Sequence, residues 1–287
     1  MSAQGKGLLS MVGTPIGNLG DASPRVIDAL QTAQVVLCED TRVTAKLLNH
    51  FDLRVPLLRC DENVIAQRVE GVLNRLWAGE HVAFVSDAGM PGVSDPGQRL
   101  VDAALDAGLR VEVIPGPSAV ICALVASGLP MDHFFFEGFL PRKAGPRSRR
   151  LQELAGVPGA LVCYESPHRV AKTLESIAEV FPRRRVALVR ELTKVHEEVL
   201  RDVAPALLER VGEGPEVRGE CVLVIEGPVL GEQGSAQTHA ESLDEAIAEG
   251  LAAGESKSGL AKRLAKTYGL PRSQVYERLL KSEASPN

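Results

Sequence analysis

The chain has 287 residues, 45% hydrophobic and 24% charged, which are the proportions of a globular protein with a real core and exclude collagen-like, coiled-coil and disordered chains. No apolar run reaches the roughly 20 residues of a membrane span, and the opening MSAQGKGLLSMVGTP lacks the sustained apolar stretch of a secretory signal, so a cytoplasmic protein without membrane attachment is expected. The net charge of -5 disfavours a polyanionic partner on average, and the five scattered cysteines argue against both a disulfide framework and structural zinc.

In chain order, short β-branched runs alternate with amphipathic stretches, with Gly and Pro at the transitions. Strands are predicted at Leu8 to Val12, Val35 to Cys38, Val82 to Ser86 and Val111 to Ile114. Helices are predicted near Pro24 to Thr32, Thr41 to His50, Ile65 to Ala78 and Gln98 to Ala107. A buried parallel sheet accounts for this rhythm. After Ser127 the strands fall near His133 to Phe136, Ala160 to Tyr164, Val186 to Arg190, Val199 to Val203 and Cys221 to Ile225, a second and mixed sheet. Gly227 to Thr238 reads as a linker. From Ser242 onward three helix-sized pieces form a compact helix-turn-helix-like unit. The expected fold is therefore two consecutive α/β domains, 1–120 and 121–230, followed by a small helical domain, 240–287.

The loops after the strands carry the chemistry. GTPIGNLGD follows the first strand, and its Gly13, Gly17 and Gly20 permit close backbone approach. The spacing is not a dinucleotide fingerprint, and no GxxxxGK[ST] run exists. SDAGMPGVSDPG, 86–97, emerges at a strand's carboxyl end, where open α/β sheets bind ligands. In it Asp95-Pro96 has the form of a helix N-cap with Pro at the first helical position, whereas Asp87 is the better candidate for function. PGPSA turns into another helix, where Ser118 caps it or presents its hydroxyl to a ligand. CEDTR, YESPHR and RELTKVHEE place acids and bases at strand ends, for proton transfer, capping or surface ion pairs. HExxH-type spacing is absent, so no metal is expected.

Charge is unevenly distributed. Arg142, Lys143, Arg147, Arg149 and Arg150 fall within nine residues that contain no acid. Seven basic residues between Ser256 and Lys281, among them Lys262, Arg263 and Lys266, face Glu277 alone. Two such clusters on an acidic protein point either to nucleic acid met by part of the surface or to solvated faces.

Taken in order, GTPIGNLGD, CEDTR, SDAGMPGVSDPG, PGPSA and YESPHR resemble the small-subunit ribosomal RNA methyltransferases of the tetrapyrrole methylase superfamily, over nearly the whole chain. The resemblance implies an S-adenosylmethionine (AdoMet) site between two α/β domains, 2'-O-methylation of a cytidine in 16S rRNA, and a homodimer. By motif it places the AdoMet site at Pro15, Ala88, Gly89, Met90, Val93, Ser118 and Ala119, with Asp87 shaping the loop. A ribose hydroxyl is a weak nucleophile, so Asp40, Glu165 and His168 are the candidates to assist it. The Arg142–Arg150 cluster and Lys262, Arg263 and Lys266 would then bind RNA. Two rival readings remain open: C-methylation of a tetrapyrrole, and a ligand-sensing DNA-binding regulator.

Overall fold

The structure, a computed structural model, describes residues 7–92, 96–228, 243, 246–247, 250–251, 255–268 and 270–283. The first half is a five-stranded, wholly parallel sheet: β1 Leu8–Val12, β2 Val35–Cys38, β3 Leu57–Arg59, β4 His81–Val85 and β5 Arg110–Ile114, in the order β3-β2-β4-β1-β5. Helices α1 Pro24–Thr32, α2 Thr41–His50, α3 Ile65–Trp77 and α4 Gln98–Asp106 connect the strands. The near-continuous apolar strands follow from burial on both faces. Leu9, Met11, Leu37 and Phe84 belong to one core with α3 and α4, and Val12, Val36, Ala83 and Val85 to the other with α1 and α2.

The local signals act as expected at α1, where Ser23 accepts from the Val26 amide and Pro24 takes the first helical position. Two expectations need correction. Strand β3 was not anticipated, because two half-exposed leucines and an exposed Arg59 behind Pro56 at a sheet edge give almost no pattern to read. Helix α4 begins at Gln98 with Gly97 (φ 134°) as its N-cap, so Pro96 precedes the helix instead of opening it.

The second half is a mixed sheet of β6 Phe134–Phe139, β7 Ala160–Glu165, β8 Arg185–Arg190, β9 Glu198–Val203 and β10 Cys221–Ile225, ordered β6-β7-β10-β8-β9. Only the β6–β7 pairing is parallel. Helix α5 (Ala119–Ser127) follows β5 but packs on this second sheet, with Val120, Ala123 and Leu124 against Val162, Val189 and Val222. Helices α6 (Ala144–Leu154), α7 (Val170–Val180) and α8 (Ala204–Glu213) cover the opposite face. Cys163 is buried in that core, and burial pushes its thiol up to about 12.

The packing of α6 on α7 corrects one proposed RNA contact. Arg147 is only 3% exposed: its guanidinium donates to Ser176 Oγ at 3.0 Å and to the carbonyls of Arg142 (3.1 Å) and Lys172 (2.8 Å). A basic residue held on three acceptors inside the fold is not a phosphate ligand. Its neighbours Arg142, Lys143 and Arg149 are exposed, whereas Arg150 is paired with Glu137 and Glu153.

The expected linker falls outside the described residues beyond 228. In the carboxy-terminal unit, helices Lys257–Tyr268 and Arg272–Glu283 gather Leu260, Leu264, Val275 and Leu279 with Leu243 and Ile247 into a small core of their own. Lys262 is exposed, while Arg263 donates to Glu255, so the basic face there is partly neutralised. The side chain of Lys266 lies outside the described residues. No helix among the described residues is long and apolar enough to cross a membrane.

Candidate active site

Parallel strands deliver their carboxyl ends to one edge, and in the first sheet three of the following loops are stitched together there. Gly13 donates to the Ile114 carbonyl, and a Cβ at Gly13 would lie 2.6 Å from both the Gly116 amide nitrogen and Met90 Sδ. Only glycine allows the β1 and β5 loops this approach. Thr14 and Gly89 exchange two backbone hydrogen bonds, 2.9 and 3.1 Å, and the Gly116 amide donates to Met90 Sδ at 3.3 Å. Gly89 is at φ 81°, a conformation that L side chains avoid, while a Cβ there would meet only ordinary contacts at 3.4–3.5 Å. Backbone strain, not lack of space, requires glycine at this position.

The second sheet supplies the facing wall. At the end of β7 the Glu165 side chain has no exposed surface: Oε2 accepts from Thr173 Oγ1 at 2.6 Å, Oε1 accepts from the Ser166 amide at 2.8 Å, and Arg169 Nε lies 3.2 Å away. Arg169 also donates to the Leu140 carbonyl at 2.7 Å, tying the end of β7 to the end of β6. At the start of β10, Gly219 (φ 83°) lies where a Cβ would be 2.2 Å from Glu191 Oε1. That oxygen accepts from the Glu220 amide and from Lys194 Nζ, both at 3.0 Å, and the Glu220 amide bond followed by Lys194 holds the Glu191 carboxyl below its usual range. The two halves meet where Gly17 of the β1 loop abuts Thr193 and Lys194, closely enough that a Cβ at Gly17 would lie 2.6–2.8 Å from their side chains.

Between these walls lies a cavity of about 390 Å³. Ile16, Ala88, Gly89, Met90, Ser118 and Ala119 line it from the first half and α5, and Phe139, Tyr164, Glu165, Ser166, Pro167 and Gly219 through Val222 from the second. The size and the mixture of apolar walls with a few backbone and hydroxyl groups suit a small organic ligand. Ser118 precedes α5 without a side-chain capping bond, so its hydroxyl and the first amides of the helix are left for a ligand to use.

Of the residues expected at the cofactor, Ala88, Gly89, Met90, Ser118 and Ala119 are brought together. Pro15 is buried but the next residue, Ile16, forms the wall, and Val93 lies outside the described residues. Asp87 does not line the cavity; its Oδ1 accepts from the Asp40 amide at 3.1 Å, joining the ends of β2 and β4. The three residues expected to assist the nucleophile are not gathered. Asp40 caps α2 and is paired with Arg42, whose side-chain and then backbone hydrogen bonds hold its carboxyl far below the usual range. Glu165 lines the cavity but both its oxygens are engaged. His168, with its side chain 79% exposed, lies outside the lining with Nδ1 3.9 Å from a Glu216 oxygen. Phe139 and Gly219 to Val222 were missed: the former stands in an unremarkable apolar strand, and the latter have no motif beyond a glycine before an apolar run.

A sequence profile of the Tetrapyrrole (Corrin/Porphyrin) Methylases matches residues 8–208. Proteins named Ribosomal RNA small subunit methyltransferase I are similar along nearly the whole chain. The one from Synechocystis is 40% identical, covering 97% of this chain and 99% of that protein, and the one from Xylella fastidiosa is 44% identical over 94% and 98%. The chain belongs to the tetrapyrrole methylase family. Among solved members of the fold, the uroporphyrin-III-C-methyltransferase of Thermus thermophilus is 25% identical, with a TM-score of 0.53 over 80% of this chain and 98% of that one. A diphthine synthase, 16% identical, shares the fold with a TM-score of 0.59 over 78% and 91%.

Proposed function

We propose that the protein transfers a methyl group from AdoMet to the ribose 2'-oxygen of a cytidine in 16S rRNA of the small ribosomal subunit, in the cytoplasm. The observation that carries the reading is the cavity between the halves, whose wall residue Phe139 is followed three and four residues on by the exposed cations Arg142 and Lys143. The lining fits AdoMet: Ile16, Met90 and Val222 offer apolar walls for a nucleoside, and Ser118 with the open amides of α5 offers donors to a carboxylate. When bound, AdoMet supplies a methyl group already activated by its sulfonium. The chain's own residues then align donor and acceptor and keep water out, which is where most of the rate acceleration arises. The rigid Gly13–Met90–Gly116 stitching and the Glu165–Arg169 tie serve that alignment. None of the three acid–base candidates is placed to take up the hydroxyl proton: Asp40 is bound to Arg42, both oxygens of Glu165 are engaged and His168 stands outside the lining, so the chain acts by alignment.

The functional unit is a homodimer. Ile121 and Val125 of α5 are 49% and 63% exposed, and Val113 of the edge strand β5 is 55% exposed. Exposed apolar side chains on α5 and on the edge strand β5 offer a surface for a second copy. The test is a methyl-transfer assay with labelled AdoMet, offering 30S subunits, naked 16S rRNA and uroporphyrinogen in parallel. Label in 2'-O-methylcytidine of the RNA supports the assignment; label confined to the tetrapyrrole rejects it.

A further inference from the structure

The chain has seven Phe, three Tyr and one Trp, and three of these rings cluster beside the cavity, two of them, Phe139 and Tyr164, lining it. Tyr164 meets Phe136 edge-on at 5.0 Å and Phe139 at 5.7 Å with a 60° tilt. In a regular strand residues three apart point to opposite faces, yet Phe136 and Phe139 both contact the same ring. The cause is a β-bulge: Phe136 pairs with Val162 and Gly138 with Cys163, leaving Glu137 as the extra residue, and Gly138 is at φ 75°. Bulges re-aim side chains beside active sites. This one turns Phe139 to the cavity, where it stays 59% exposed. An apolar ring re-aimed by a backbone irregularity and left uncovered has no role in the core, because its surface is not removed from water.

The chemistry around it identifies what covers the ring. Three and four residues further on, Arg142 and Lys143 are exposed, so a polyanion that reaches Phe139 meets two cations next along the chain. A ribose hydroxyl can reach a methyl group inside the cavity only if its nucleotide leaves its stack, and an extruded base needs a flat apolar partner. We propose that Phe139, supported by the tilted ring of Tyr164, is the stacking platform for the nucleobase of the nucleotide that is methylated. The inference rests on the RNA reading given under Proposed function and adds the specific surface that holds the base.

Three proteins test it: the parent, Phe139→Leu, and Phe139→Trp in a Trp77→Phe background, which removes the only native tryptophan. Leucine keeps the apolar character but not the flat face, and because the ring is exposed the variant should melt with the parent. The expected result is a loss of roughly 5- to 150-fold in kcat/KM for 30S subunits in Phe139→Leu, the range for one lost base–aromatic stack. Its affinity for S-adenosylhomocysteine, measured by calorimetry, should equal that of the parent. Phe139→Trp, which keeps a flat aromatic face, should retain more kcat/KM than Phe139→Leu, and its emission should be quenched when 30S subunits bind. Undiminished kcat/KM in Phe139→Leu, or tryptophan emission indifferent to 30S binding, overturns the inference alone. A fall in S-adenosylhomocysteine affinity that matches the fall in activity also overturns it, because the ring then belongs to the methyl donor. Absence of RNA methylation by the parent overturns the functional reading and this inference with it.

Discussion

Arg147 and Arg149 lie two residues apart in one basic cluster, and the structure gives them opposite roles. Replacing Arg147 by Met keeps much of the side-chain volume and removes three hydrogen bonds, to Ser176 Oγ and to the carbonyls of Arg142 and Lys172. Each bond from a charged donor contributes about 1.5–3 kcal/mol, but the two carbonyls are only partly buried and can turn to water. A total of roughly 2–4 kcal/mol is therefore expected, which for a chain of this size lowers Tm by about 4–15 °C. Arg149→Ala should leave stability within about 0.5 kcal/mol. In binding to 30S subunits across a salt series the order reverses: Arg149→Ala should weaken affinity and make the slope of log K against log salt shallower by about one. Arg147→Met, assayed well below its Tm, should keep the parental slope. An Arg147→Met protein with parental Tm and a shallower slope would refute the assignment of Arg147 to the fold.

Gly13→Ala should cost about 1–3 kcal/mol and weaken AdoMet binding by calorimetry, because the new Cβ meets backbone at 2.6–2.7 Å in the loop pair that walls the cavity; Gly71→Ala, in α3 with nothing within 4 Å, is the control and should stabilise by about 0.5–1 kcal/mol. Glu165→Gln places an amide where three donors converge, so we expect a loss of about 1–3 kcal/mol in denaturant titration and a lowered kcat, with the pH profile of kcat unchanged in shape; disappearance of its ascending limb would instead make Glu165 the base. His81 is hydrogen-bonded to Ser10 and Thr32, and burial lowers its pKa from 6.5. The unfolded chain takes up this proton first, so stability present above pH 6.5 should be lost as pH falls below it, and urea midpoints of His81→Gln should show less of this dependence.

Much of the first half was legible because its signals are local. Ser23-Pro24 and the buried β1, β2 and β4 runs announce themselves by capping chemistry and by unbroken apolar stretches between glycines. The GTPIGNLGD and DAGMP loops were legible as places of close backbone approach for the same reason: glycines at strand ends permit it. What was not legible depends on pairings distant in sequence. Arg147 reads as one more surface cation until α7 brings Ser176 and the Lys172 carbonyl to it. Asp40 and Glu165 look like free carboxylates until Arg42, Thr173 and the Ser166 amide occupy their oxygens. Phe139 depends on a bulge that only the register of β6 on β7 reveals, and Gly219 on the position of Glu191.

The central claim is that this cavity methylates a ribose of 16S rRNA. The most direct measurement incubates the purified protein with 30S subunits lacking the modification and AdoMet carrying a trideuterated methyl group, then maps nuclease fragments by mass spectrometry. The expected result is one labelled nucleotide in 16S rRNA, a cytidine whose label stays with the ribose and not the base, and reduced labelling by the Gly13→Ala protein at limiting AdoMet. RNA without label, or label on a base carbon or nitrogen, would contradict it.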